Sequence, residues 1–179
     1  INCYITMKVS YSNSISSIAE TIKTSKINKA KILDVIGSDK RINKKYLGLG
    51  TMFSGPCFPR DNIAMINFMS KINSSSALFK STNQINKYQA DRYLAIISKF
   101  SKSKKIGFLG MTYKSGTDLF TDSPAFYLLK KFKLKYKNFY GYDPYFNNEI
   151  ISQINKKYKN FMAFKDYKTF INSCDIVII

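Results

Sequence analysis

Apolar residues in the first hundred positions recur mostly at the three- and four-residue spacing that is typical of amphipathic helices. This pattern predicts two helices before residue 36, with Gly37 ending the second. A longer helical stretch is predicted to run to about Phe100, with a break at 73–76. Between these helices lies a loop with the densest turn chemistry of the chain, contributed by Gly48, Gly50, Gly55, Pro56 and Pro59.

The pattern changes after 101–104, a polar segment that we take as the domain boundary. Beyond it, short apolar runs alternate with helical patterns, and Ser123 and Pro124 supply an N-cap and a first helical residue. The predicted strands are Ile106–Leu109, Phe139–Tyr142, Phe161–Phe164 and Cys174–Ile179, and the predicted helices are Pro124–Phe132 and Asn147–Lys157. Alternating strands and helices predict a parallel, doubly wound sheet. We therefore expect an α/β fold, with a helical domain over 1–100 and a Rossmann-like domain over 101–179 that is incomplete at its C-terminal end.

The chain carries 29 Lys and Arg residues against 11 Asp and Glu residues, a formal net charge of +18. A charge of this size is compatible with a polyanionic partner. The lysines are scattered through almost every segment, however, and the clusters at 102–105 and 130–137 are interrupted by serine or by apolar residues. We therefore expect solvated faces that attract anionic substrates, and no nucleic acid as the main partner.

Three cysteines, Cys3, Cys57 and Cys174, lie far apart and histidine is absent, so no metal site is expected. An odd, sparse cysteine count fits a reducing compartment. The sequence has no run of about 18 apolar residues and no signal-peptide pattern, which predicts a cytoplasmic protein that does not enter a membrane. Because the sequence begins without Met in a helical pattern and ends in a strand-like run, we expect a fragment of a longer protein.

Cys57 is the candidate nucleophile. If Pro59 occupies the first position of the following helix, Cys57 precedes a helix N-terminus, where free amides and the helix dipole favour a thiolate. Arg60 adds a positive charge, and Asp61 would lie in the first turn, close enough to manage protons. The alternative is that Cys57 is a small buried apolar residue and Asp61 an ordinary N-terminal helix carboxylate. Spacing alone leaves both open.

The segment 52–61, Met-Phe-Ser-Gly-Pro-Cys-Phe-Pro-Arg-Asp, closely resembles the active-site signature of the UDP-glucose and GDP-mannose dehydrogenase family. Other segments resemble that family in the same order. They are Asn2 with 8–13, Asp39-Lys-Arg41, and 105–118 with Asp122-Ser-Pro124 and Tyr142-Asp-Pro144. The resemblance covers nearly the whole chain.

The resemblance implies NAD-dependent, four-electron oxidation of the C6 hydroxyl of a nucleotide sugar through a thiohemiacetal and a thioester on Cys57. Asn2, with a lysine that would precede Ile1, would hold the oxyanion, and Asp61 would assist proton transfer. Implied substrate contacts are Arg41, Tyr46, Gly48, Leu49, Gly50, Thr51, Met52, Phe53, Ser54 and Lys114, and implied cofactor contacts are Cys57, Phe58, Pro59 and Arg60.

The sequence around Cys57 resembles the branch that acts on UDP-glucose, and the alternatives are a UDP-N-acetylhexosamine or GDP-mannose. Arg41 would reach the substrate of a neighbouring subunit, which implies a homodimer or a larger homo-oligomer. The aromatic and aliphatic stripe from Tyr88 to Phe100 is expected to pack between helices and at the dimer surface.

Two departures from the family pattern qualify the resemblance. Thr121 stands where relatives carry an arginine that touches the cofactor, and Gly107 and Gly110 do not make a dinucleotide-binding GxGxxG motif. We therefore expect the NAD-binding domain to lie outside residues 1–179 and this segment alone to be inactive. The rival hypothesis is a non-catalytic protein, either a paralogue that dimerises and binds nucleotide sugars or a basic module that binds nucleic acid. Asp143 could be a ribose-binding acid, but structural turn chemistry is expected.

Overall fold

The computed structural model describes residues 1–22, 27–100, 104–120, 122–132 and 139–179. These residues form two compact units, unit 1 over Ile1–Asp91 and unit 2 over Arg92–Ile179. The sequence placed a domain boundary at 101–104, of which 101–103 lies outside the described residues. The structural division falls earlier, inside a helix, because the last turns of that helix pack on the core of unit 2.

Unit 1 is helical, as the sequence predicted. Its elements are α1 (Asn2–Thr21), α2 (Lys29–Ser38), α3 (Phe58–Lys71) and the greater part of α4 (Ala77–Ser98). The predicted break at 73–76 is confirmed, since α3 and α4 are separate helices. α1 packs against both α2 and α3.

Gly37 does not end the second helix, because α2 continues to Ser38. Gly37 is instead a buried point of close contact with the loop that follows. A Cβ atom at this position would lie 2.9 Å from the Cα of Lys44, so a side chain would push that backbone away. The glycine is therefore explained by packing and not by helix termination.

Unit 2 is a four-stranded parallel sheet with helices between the strands. Its elements are β1 (Ile106–Leu109), α5 (Pro124–Phe132), β2 (Phe139–Tyr142), α6 (Asn148–Lys157), β3 (Phe161–Phe164), α7 (Tyr167–Asn172) and β4 (Ile176–Ile178). The strand order is β3-β2-β1-β4, and every neighbouring pair is parallel. This is the order of the first half of a dinucleotide-binding fold with the next strand added. The predicted strand at 174–179 is shorter than expected, and α7 was not predicted.

Helices cover both faces of this sheet. On one face, Ile106 and Phe108 pack with apolar residues of α5 and α6 and with Ile97 from the end of α4. On the other, Gly107 lies under α7, where a Cβ would come within 2.7 Å of the Phe170 ring. The predicted doubly wound α/β architecture is confirmed. Among the described residues, no helix combines the length and the apolar character needed to cross a membrane.

Candidate active site

Cys57 is the N-cap residue of α3 and is exposed. Phe58 and Pro59 are the first two helical residues, so Pro59 occupies the second position and not the predicted first one. Proline is tolerated there because N–H groups in the first turn have no helical acceptor. The amide of Asp61 donates to the carbonyl of Cys57 across 2.9 Å, which places the two residues one helical turn apart. The exposure of Cys57 is inconsistent with the alternative of a buried apolar residue.

Asp61 connects the starts of two helices. The Asn2 side-chain amide, at the first residue of α1, donates to Oδ2 of Asp61 across 2.6 Å. Arg60 donates from Nε to Oδ1 of Asp61 across 3.0 Å. The bond from Asn2, and then that from Arg60, hold the pKa of Asp61 below its usual value. The hydrogen bonds from Asn2 and Arg60 therefore stabilise the ionised form of Asp61 and fix the orientation of its carboxylate.

Arg60 lies between two groups that can be negatively charged. Its hydrogen bond to Asp61 is the main reason that its pKa is raised, and Cys57 contributes in the same direction. Asn2, Arg60 and Asp61 thus form one hydrogen-bonded group at the N-terminus of α3, beside Cys57. A thiol at such a position has a cation and a carboxylate within reach.

Buried polar side chains, which the sequence did not predict, support this junction of α1 and α3. Asn62 donates to the hydroxyl of Thr6 across 2.8 Å, and both side chains are fully buried. The Thr6 hydroxyl donates in turn to the carbonyl of Cys3 across 2.9 Å. The only signal in the sequence was that polar residues of α1 recur at helical spacing.

The loop before Cys57 has an open outer surface at two glycines. Neither Gly48 nor Gly50 has a positive φ, and a Cβ built on either would meet no atom of the described residues within 4 Å. Glycine is therefore not required there by backbone conformation or by packing against the described part of the chain. It leaves space in which a ligand can approach the backbone. Phe53, by contrast, has a buried side chain.

Arg41 lies in the exposed loop after α2. Its guanidinium pairs with Asp39, with Nη2 2.6 Å from Oδ2, and this contact lowers the pKa of Asp39. The loop is held to α1 by the buried ammonium of Lys8, which donates to the carbonyls of Ile42 and Asn43 across 2.9 Å each. Tyr46, in the same loop, has a φ of 66° and is exposed.

In unit 2, Asp143 follows β2 and is buried. Its Oδ2 accepts from the amides of Met111 and Thr112 across 2.7 and 3.1 Å, and its Oδ1 accepts from the amide of Tyr145 across 2.9 Å. The expected structural role of Asp143 fits these bonds. The loop that it fixes carries Lys114, which is exposed, with Nζ 5.5 Å from the ring centroid of Tyr113.

The bonds from the amides of Met111 and Thr112 to Asp143 also affect whether unit 2 can bind NAD. In a dinucleotide-binding fold, the turn after the first strand offers backbone amides to the pyrophosphate. Here the amides of Met111 and Thr112 are already bonded to Asp143, so unit 2 does not fit NAD at this turn. Thr121 lies outside the described residues. Within the described ranges, no group of three or more Cys, Asp or Glu residues could hold a metal ion.

Two sequence models of one family match the chain. The central-domain model of the UDP-glucose/GDP-mannose dehydrogenase family matches residues 1–88, and the UDP-binding-domain model of the same family matches residues 107–179. The chain belongs to the UDP-glucose/GDP-mannose dehydrogenase family. The resemblance carried by the segment around Cys57 is thereby confirmed at the level of the family.

Curated members of this dehydrogenase family are similar along the chain. A UDP-glucose 6-dehydrogenase of Rickettsia typhi is 28% identical over 182 residues, which cover 99% of this chain and 41% of the relative. A UDP-glucose 6-dehydrogenase of Haloferax volcanii is 30% identical over 145 residues, which cover 80% of this chain and 33% of the relative. The chain thus spans about two fifths of the length of the Rickettsia typhi relative.

Solved structures of dehydrogenases share the fold. A UDP-glucose dehydrogenase from Pyrobaculum islandicum has a TM-score of 0.86 at 22% identity, over 99% of this chain and 40% of that one. A GDP-mannose dehydrogenase from Pseudomonas aeruginosa has a TM-score of 0.66 at 23% identity, over 96% of this chain and 41% of that one. At these identities the likeness establishes the α/β fold of this family member and nothing finer.

Replacing Asn2 by alanine in this dehydrogenase-family chain is expected to raise the pKa of Asp61, because the bond from Asn2 is the largest cause that lowers it. A depressed folded-state pKa stabilises the fold above the unfolded-state pKa, and this contribution is lost as the pH falls through the folded-state value. The variant should therefore show a weaker acid dependence of stability. A 13C NMR titration of the Asp61 carboxyl carbon measures the shift, with Asp166, whose pKa is lowered by hydrogen bonds from Thr169, as an internal control. An unchanged Asp61 titration would contradict the assigned cause.

Proposed function

We propose that this chain carries the catalytic cysteine and the nucleotide-sugar site of an NAD-dependent dehydrogenase that oxidises the C6 hydroxyl of UDP-glucose to the carboxylate of UDP-glucuronate. The observation that carries the proposal is the exposed Cys57 at the N-cap of α3, with Asp61 one turn further on and bonded to Asn2 and Arg60. A nucleophile, a cation and an ionised carboxylate are the groups that oxidation through an enzyme-bound thioester requires.

The proposed roles follow from the chemistry of each group. Cys57 attacks the aldehyde carbon, so that a C–S bond forms and the carbonyl oxygen becomes an oxyanion. An amide NH2 group has two donors, so Asn2 can donate to Asp61 and also to that oxyanion. Asp61, whose carboxylate is held in place by Asn2 and Arg60, accepts the proton of the water that hydrolyses the thioester. NAD, when bound, supplies the hydride acceptor for the two oxidations.

Under this proposal, the domain that binds NAD lies outside residues 1–179, and Cys57, Phe58, Pro59 and Arg60 would border the cofactor. The first strand–helix turn of unit 2 supports this division because its amides are engaged by Asp143. Three free thiols are compatible with a reducing cytoplasm.

We also propose that unit 1 self-associates into a homodimer or a larger assembly. Its helices leave large apolar side chains exposed. They are Ile63, Phe68 and Ile72 on or directly after α3, and Leu78 and Tyr88 on α4. Of the stripe that was expected at a dimer surface, Ile97 is buried in the core of unit 2 instead. A second subunit would also give the exposed Arg41 a substrate to reach.

The substrate assignment rests on the names of similar proteins and on the open loop at Gly48 and Gly50. Curated relatives are UDP-glucose 6-dehydrogenases, while structures with the same fold include a GDP-mannose dehydrogenase and a UDP-N-acetyl-mannosamine dehydrogenase. GDP-mannose and UDP-N-acetylhexosamines are therefore the competing substrates.

Replacing Gly50 by alanine is expected to weaken UDP-glucose binding by about tenfold or more, because the added methyl occupies the space left for the ligand. The free energy of unfolding should stay equal or rise by up to about 1 kcal/mol, since the methyl meets none of the residues that the structure describes and restricts the unfolded state. Calorimetric titration and urea unfolding measure the two effects. Unchanged affinity would argue against a ligand at this loop.

The test of the proposed function is to express the full-length gene product and follow NADH formation with UDP-glucose, UDP-N-acetylglucosamine and GDP-mannose in parallel. About two NADH formed for each UDP-glucose consumed would support the four-electron oxidation and the substrate. A folded protein that binds UDP-sugars but forms no NADH with any of them would favour the non-catalytic paralogue, which Thr121 in place of the family's arginine also favours.

A further inference from the structure

Three buried side-chain amides, which we call the amide clamp, form hydrogen bonds with the backbone of the loop at 50–53. They are Asn13 on α1 and Asn86 and Gln89 on α4, with exposed fractions of 2%, 8% and 3%. Asn13 donates to the carbonyl of Thr51 across 3.1 Å, and Gln89 donates to the carbonyl of Gly50 across 2.9 Å. Gln89 also donates to the side-chain oxygen of Asn13 across 3.3 Å, which joins the two helices.

Asn86 makes a two-point contact with the backbone of Phe53. The Phe53 amide donates to Oδ1 of Asn86 across 2.7 Å, and Nδ2 of Asn86 donates back to the Phe53 carbonyl across 2.9 Å. The pair has the donor and acceptor pattern of two strand residues that exchange both bonds. Because both bonds go to one residue, they set the direction of its peptide groups as well as its position.

The clamp contacts backbone atoms, so it specifies the path of the loop independently of the loop's side chains. Four backbone polar atoms between residues 50 and 53 are satisfied from the inner side. The outer side at Gly48 and Gly50 stays open. A lost hydrogen bond to a buried amide is costly, so a loop that moved away would remove both bonds between Asn86 and Phe53 and the bonds that Asn13 and Gln89 make to the loop.

We propose that the amide clamp positions the loop at 50–53 for binding of the nucleotide sugar, and that Asn86 is its principal positioning residue. Asn86 does not touch the ligand in this proposal; it acts through the backbone of Phe53. The inference rests on the proposed function, because it assigns to that function's substrate loop the residues that shape it.

Asn86→Asp tests the clamp because aspartate has the shape of asparagine but titrates. The protonated acid accepts from the Phe53 amide and donates to the Phe53 carbonyl, which restores the native pair. In the ionised form a carboxylate oxygen faces the Phe53 carbonyl oxygen, so two acceptors meet with no proton between them. Burial disfavours the ionised form, so the pKa of the introduced carboxyl is expected to rise toward neutral pH.

The measurement is a calorimetric titration of UDP-glucose into the full-length gene product between about pH 5 and pH 8, a range that spans a carboxyl pKa raised by burial. The variant is expected to bind about tenfold more weakly than wild type at the upper end and to approach wild-type affinity at the lower end. The stoichiometry reports the folded fraction separately from the affinity. Gln84→Glu is the matched control, because it makes the same chemical change at an exposed position of α4.

Each outcome bears on a different claim. If the wild-type protein binds no nucleotide sugar, the proposed function fails and takes this inference with it. If the wild type binds but Asn86→Asp matches its affinity at every pH, the clamp does not position the site. A lower stoichiometry at wild-type affinity means that Asn86 serves folding alone and also overturns the inference. Should Asn86→Asp not fold at the upper pH, Asn13→Asp is titrated in the same way, and an affinity that does not change with pH overturns the inference.

Discussion

Replacing Cys57 by serine in the full-length gene product is expected to lower acid formation by at least about a thousandfold while leaving nucleotide-sugar affinity within about threefold of wild type. A serine hydroxyl at the N-cap of α3 is a far weaker nucleophile than a cysteine sulfur. Cys57 is exposed, so the exchange of sulfur for oxygen costs little packing energy. The acid formed from UDP-glucose gives the first reading, because the first hydride transfer precedes the step assigned to Cys57, and calorimetric titration with UDP-glucose gives the second.

The matched control is Cys174→Ser, which makes the same atomic change in unit 2. Cys174 is partly buried, its Sγ donates to the carbonyl of Phe170 across 3.1 Å, and burial raises its pKa. It is expected to keep its turnover. Full turnover in Cys57→Ser would remove Cys57 from the mechanism. Equal losses in both variants would indicate a general sensitivity to thiol replacement.

The architecture of unit 2 could be predicted from sequence because its signals are local. β1, β2 and β3 match the predicted bounds, and α5 begins where Ser123 and Pro124 indicated. Helix α7 was missed because six residues are too few for helical spacing to stand out. A cap signal was nevertheless present, since Asp166 accepts from the amide of Thr169 across 2.7 Å.

The interior of unit 1 could not be predicted in the same way. Apolar spacing located α1, yet Ile18 is exposed while Ser10 and Asn13 are buried. Hydrophobic pattern assigns such polar positions to solvent, and only the partners on other helices explain their burial. The Ser10 hydroxyl, for example, donates to the carbonyl of Thr82 across 3.2 Å.

In the candidate site, too, local relations could be predicted from sequence and contacts between distant residues could not. The one-turn relation of Cys57 and Asp61 follows from their spacing and from the helix signal of Pro59. The bond between Asn2 and Asp61 joins residues 59 positions apart, so no local rule could give it. The resemblance to the family indicated Asn2, whereas the sequence carries no signal for Asn86 and Gln89, whose loop contacts are 33 and 39 positions away.

Asp143→Ala is expected to lower the free energy of unfolding of unit 2 by about 3 kcal/mol, because three backbone amides lose their charged acceptor in a buried place. These bonds join the loop after β1 to the turn after β2, so both segments should become less stable in the variant. Hydrogen exchange at the amides of Met111, Thr112 and Tyr145 should accelerate together, and urea unfolding followed by circular dichroism gives the free energy.

Asp118→Ala is the matched control, since Asp118 is an exposed carboxylate in the loop that Asp143 fixes. Its removal should change the free energy of unfolding by no more than about 0.5 kcal/mol. If the two variants were equally stable, the three bonds to Asp143 would be worth no more than bonds to water. The amides of Met111 and Thr112 would then be open to another anion, and the reason for excluding the NAD pyrophosphate from this turn would no longer hold.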